Sequence, residues 1–141
     1  MPVSKPSELP VGGGGRWPLC GVGFHSAQWG DMEVGYTFVE PIPANPAYDT
    51  LPGGVCQCPH YGYMFKGRLR CEYPGTDWPD EVAETGDAYF FRAGHKLSYE
   101  EPSEVLEFNP ASTLKLLMDH IEQLAGGGDL DEFDPTQGPA S

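Results

Sequence analysis

Basic residues are scarce in this chain: eight Lys and Arg stand against 21 Asp and Glu, for a formal net charge of −13. A surface of that sign repels phosphates and anionic headgroups, so no nucleic acid and no membrane is expected as a partner. Long apolar runs are missing too, since nothing approaches the roughly 18 consecutive apolar residues of a membrane span. The opening Met1-Pro2-Val3-Ser4-Lys5-Pro6 lacks the basic-then-apolar order of a secretion signal, and a cytoplasmic location is expected. In a chain read as cytoplasmic, the four cysteines, Cys20, Cys56, Cys58 and Cys71, are expected to be thiols or ligands rather than a disulfide framework. Reactive motifs are absent in their turn. Gly12–Gly15 is not followed by Lys-Ser/Thr, so it is no phosphate loop. No Gly-x-Ser-x-Gly elbow occurs, and Cys56-x-Cys58 has one residue too few for a thioredoxin-type pair.

What is present is a series of short strand signals separated by Gly and Pro turns. Residues 32–39 alternate, with Val34, Tyr36 and Phe38 on one face. A proline-rich connection leads to a strand over 55–65, followed by strands over 68–73, 80–84, 88–92, 96–100 and 104–108. Residues 112–125 carry Leu114, Leu117, Met118, Ile121 and Leu124 at three- and four-residue spacing, which predicts an amphipathic helix with Asn109 or Ser112 as N-cap and Gly126 as its stop. The pattern predicts one all-β domain over 17–125 with a C-terminal helix. Residues 1–16 are expected to form a flexible arm and 126–141 a flexible acidic tail, because both are rich in Gly and Pro or in charge.

The densest chemistry lies in Cys56-Gln-Cys58-Pro59-His60-Tyr61-Gly62-Tyr63-Met64-Phe65-Lys66-Gly67. On one extended strand Cys56, Cys58 and His60 would share a face. Thiolate and imidazole suit zinc and other borderline divalent metals. A fourth donor is expected from His95, after Gly94. His25 and His120 have no partner at ligand spacing and are read as peripheral. Tyr63, Tyr89 and Phe91 are the expected pocket-lining aromatics. No Asp or Glu is clearly placed as a general base.

These segments resemble the cupin superfamily of small jelly-roll barrels, and among them short bacterial single-domain cupins. Gly67 fits the closing glycine of the first cupin motif. Counting back from it places His60 at the glutamate position, Cys56 at the second histidine and Gly54 at the first. The second motif begins at Gly86, with Arg92 in place of proline, then Gly94 and His95. The resemblance spans about 28–122 and implies a double-stranded β-helix with a C-terminal helix. It also implies a divalent transition metal, with zinc preferred for this donor set and iron or manganese as alternatives, a small-molecule ligand and a homodimer. Two functional readings stand side by side. One is a metal-binding barrel, either an enzyme or not, and the other is a metal-free barrel that binds or senses a ligand.

Overall fold

The computed structural model describes residues 3–21, 23–41 and 46–126. Among these residues eight strands run in chain order as β1 (Phe24–Trp29), β2 (Met32–Val39), β3 (His60–Lys66), β4 (Arg68–Glu72), β5 (Glu81–Glu84), β6 (Ala88–Phe91), β7 (Lys96–Tyr99) and β8 (Ser103–Pro110). They form two wholly antiparallel sheets, one of order β1-β2-β8-β3-β6 and one of order β5-β4-β7. The expected all-β architecture with a C-terminal helix is what the chain adopts. No helix among the described residues is long and apolar enough to cross a membrane.

Alternation on each strand sends one set of side chains between the sheets. Met64 of β3, Leu69 and Cys71 of β4, Ala83 of β5, Phe91 of β6, Leu97 of β7 and Val105 of β8 meet there and are buried. The helix Ala111–Ala125 closes the core with Leu114, Met118, Ile121 and Leu124, the stripe its sequence spacing predicts. Its N-terminus differs from expectation. Asn109 belongs to β8 and turns its amide inward, and Pro110 precedes the first turn with no side-chain cap. Gly126 ends the helix as expected, its N–H reaching Glu122 O at 3.0 Å.

On β8 the usual pattern is reversed, and this reversal positions the site. Val105, Glu107 and Asn109 face inward, while Phe108 is 43% exposed on the outer surface. One register row crosses the larger sheet from Tyr89 through Gly62, Glu107 and Gly35 to Ser26. At Gly62 a Cβ would fall under 3.0 Å from the Tyr89 ring, so only glycine lets Tyr89 lie across β3 toward Glu107.

Two expectations about the chain are corrected. First, the arm expected to be flexible packs on the fold over much of its length. Leu9 and Trp17 are buried, Ser26 N–H donates to Pro10 O, and Val11 bridges His25. Gly12–Gly15 form one left-handed turn, with φ between 58° and 92°, which only glycine adopts without strain. That turn delivers Trp17 to the helix, where Nε1–H donates to Asp119 Oδ1 at 2.9 Å. Arg16 pairs with the buried Glu33. Second, β1 was not anticipated, because Phe24-His25-Ser26-Ala27-Gln28-Trp29 alternates only weakly. The expected tail lies outside the described residues beyond Gly126.

Candidate metal centre

The predicted strand over 55–65 begins only at His60. Residues 52–54 form a short 3-10 turn, and Cys56 makes an isolated antiparallel bridge to His95. Pro59 has no N–H to give a ladder, so Cys56, Cys58 and His60 do not lie on one extended strand. The corrected geometry is more selective. Cys56, His60 and His95 are all buried, and their ligand atoms lie within 4.8 Å of one another. Cys58, though buried, is not part of that cluster; its Sγ points toward Pro59 O at 3.5 Å.

Tyr63 is also corrected as a pocket-lining residue. It is 42% exposed on the outer face, beside Tyr61 at 44% and Phe65 at 39%. Phe91 is a core residue, stacked on Tyr89 with ring centroids 4.6 Å apart. Tyr89 reaches the site through its hydroxyl. His25 bonds Leu9 O through Nδ1 and His120 meets Thr50 Oγ1, and neither belongs to the cluster.

The two histidines are held differently. His95 Nδ1 lies 2.6 Å from Arg92 O, so it carries the proton and donates, which leaves Nε2 with its lone pair free. Nε2 is buried and has no hydrogen-bond partner. Burial, then the neighbouring His60 charge, lowers His95 to about 4, so it is neutral near pH 7. His60 follows Cys58-Pro59 and opens β3 opposite Phe91. Its Nδ1 stands 3.3 Å from Glu107 Oε1, an ion-pair separation whose angle falls short of a hydrogen bond. Burial works against a charged His60, yet Glu107, with Cys56 and Cys58, raises it well above its ordinary value.

Glu107 is the residue the sequence reading missed. In Leu106-Glu107-Phe108 the apolar residues look like the core side, and ordinary alternation would send the carboxylate to solvent. Inside, it accepts from Tyr89 OH at 2.5 Å and from Asn109 Nδ2 at 2.9 Å. Burial alone would raise its carboxyl, but His60 and these hydrogen bonds hold it at about 2. The signal for it lay in pairing: Gly62 leaves a gap that a neighbouring strand's polar pair can fill.

The donor set fits a divalent ion by its own chemistry. A buried imidazole nitrogen with no partner is costly in an apolar interior and is the form a metal takes. Zinc takes imidazole nitrogen and thiolate at about 2.0–2.3 Å, and the three candidate ligand atoms lie within 4.8 Å of one another. The second layer is also in place, with Arg92 O behind His95 and Glu107 behind His60. Burial pushes the Cys58 thiol up to about 11.

Two openings adjoin the cluster. His60, Glu107 and Asn109 lie at one end of a cavity of about 130 Å³ that runs under the helix. Cys56 and Cys58 line a separate groove of about 330 Å³, with Thr113 and His120 on its helical side.

No known family profile matches this chain, and no curated protein matches it in sequence. Among solved structures it is similar to a putative ethanolamine utilization protein Q from Salmonella typhimurium LT2, at 15% identity and a TM-score of 0.43, over 62% of this chain and 68% of that one. It is similar to a cupin-2 domain containing protein from Shewanella frigidimarina NCIMB 400, at 14% identity and a TM-score of 0.39, over 60% and 74%. It is also similar to hydroxypropylphosphonic acid epoxidase from S. wedmorenis, at 10% identity and a TM-score of 0.46, over 76% of this chain but only 58% of that one.

Proposed function

We propose that the chain is a metal-binding β-barrel of cupin type, with Cys56, His60 and His95 as protein ligands of one divalent ion, zinc by preference. The observation that carries this reading is His95 Nε2, a buried lone pair with no partner beside a second imidazole and a thiol. Three protein ligands leave a coordination position open, as in catalytic rather than structural zinc sites. A bound zinc would supply a Lewis-acid centre at that position.

The protein's own groups would prepare the neighbourhood. Arg92 O fixes the His95 ring and its tautomer. Glu107, anionic at neutral pH, orients His60 at the end of the cavity. Tyr89 and Asn109 hold that carboxylate in place.

A second reading, a metal-free ligand-binding barrel, draws support from the same Glu107–His60 pair, which can balance its own charge without an ion. Elemental analysis of untagged protein separates the two. About one metal per chain supports the first. No metal as purified, together with no thermal stabilisation by zinc, nickel, manganese or ferrous iron, leaves the second.

A further inference from the structure

Asn109 is 2% exposed, and half of its amide is unused. Nδ2 donates to Glu107 Oε1, a partner that accepts only, which settles the orientation of the amide. Oδ1 is then a buried acceptor with no partner. Glu107 needs nothing further: Oε2 takes the Tyr89 hydroxyl, and Oε1 takes Asn109 and faces His60. The 130 Å³ cavity is therefore lined by an unanswered acceptor, Asn109 Oδ1, together with His60, whose buried Nδ1 faces Glu107 at 3.3 Å without a hydrogen bond.

The rest of the wall is mostly apolar, with Phe24, Leu97, Leu114, Met118 and Ile121, and the hydroxyl-bearing Thr37, Tyr48 and Tyr99 among them. No charged side chain other than His60 and Glu107 lines it, so a charged ligand would enter without a counter-ion. A cavity of roughly 150 Å³ lined by aliphatic and aromatic groups admits a benzene-sized molecule, and this one is of similar size.

We propose that this cavity binds a small, uncharged, largely apolar alcohol of about six carbons, its hydroxyl donating to Asn109 Oδ1. The proposal rests on the metal reading only in setting that hydroxyl beside the proposed centre. A hydroxyl also keeps its own lone pairs, which can face His60.

Calorimetric titration of the full chain, with and without one equivalent of zinc, tests the proposal. Cyclohexanol, cyclohexylamine and cyclohexanecarboxylate serve as probes. Cyclohexanol is expected to bind one to one, about tenfold or more tighter than either charged analogue. Asn109→Leu should weaken it by roughly tenfold. Met118→Trp, which fills the cavity from the helix, should abolish it while leaving zinc uptake intact. Equal affinity for the three probes, or cyclohexanol binding undiminished in Met118→Trp, overturns the proposal. Zinc uptake without any cyclohexanol binding overturns it as well and leaves the metal reading standing. Cyclohexanol binding without zinc uptake supports the cavity and overturns the metal reading instead.

Discussion

Cys56 and His95 are held face to face by their backbones. The Cys56 N–H donates to His95 O at 2.8 Å, and the Gly94 N–H returns to Cys56 O at 2.8 Å. A thiol and an imidazole far apart in sequence are thus placed together before any metal arrives, with Gly94, at φ +89°, making the turn that allows it. Preorganisation of this kind lowers the ordering cost of binding an ion.

The three clustered residues should therefore behave as a set. Cys56→Ser, His60→Ala and His95→Ala are each expected to lower zinc affinity by about tenfold or more, the scale of losing one ligand or its support. Cys58→Ser, His25→Ala and His120→Ala should retain it. Equilibrium competition against a chromophoric chelator measures this, and equal losses across both groups would reject the assignment.

Acid should act on the metal-free protein in two stages. His95 falls to about 4 from its ordinary 6.5, so the unfolded chain binds more protons between those values. Its contribution is full above pH 6.5 and lost as pH falls to 4. Glu107 lies at about 2 against an ordinary 4.5, and its contribution is full above 4.5 and lost toward 2. His60, raised in the fold, is protonated in both states below 6.5 and adds no slope there. Each stage is worth on the order of 3 kcal/mol, at roughly 1.4 kcal/mol per unit of pKa. Urea midpoints measured from pH 7 to 2 should fall through both windows, and Glu107→Gln should flatten the lower one. A flat profile from pH 7 to 4 would contradict the neutral burial of His95.

Much of the fold was legible because it depends on local signals. Turn glycines, alternating strands and the Leu114–Leu124 stripe each report their element directly. The site was only half legible. His60 and Cys56 stand out as residue types, but their meeting with His95 depends on a bridge between two irregular segments. Pro59 broke the strand that would have put Cys58 beside them. Glu107 escaped because inward polar and outward aromatic residues on β8 invert the usual alternation. The N-terminal segment was misread because a glycine run looks like a linker, whereas here Gly12–Gly15 form a left-handed turn that carries Trp17 into the core.

That segment is accordingly expected to matter for stability. Trp17→Ala should cost about 3–5 kcal/mol, the usual range for emptying a buried aromatic site. Deleting residues 1–13 should also lower the unfolding midpoint, through loss of Leu9 burial and the Pro10–Ser26 bond. A deletion variant with an unchanged midpoint would show that the packing of this segment contributes nothing.

Gly62 is a constrained position next to the site. Gly62→Ala would push the Tyr89 ring away from Glu107 and cost about 1–3 kcal/mol through overpacking. Tyr89→Phe, which removes the hydroxyl but keeps the ring, should cost less and leave the fold intact. Comparison of denaturation midpoints decides this, and a neutral Gly62→Ala would mean that Tyr89 has another place to go.

Cobalt substitution tests the central claim most directly, because a thiolate bound to cobalt gives a charge-transfer band in the near ultraviolet that imidazole and carboxylate do not. The account expects that band in the wild-type chain at about one cobalt per chain, its loss in Cys56→Ser and its survival in Cys58→Ser. A band that survives in Cys56→Ser, or no band in a wild-type chain that holds cobalt, would contradict the Cys56–His60–His95 centre.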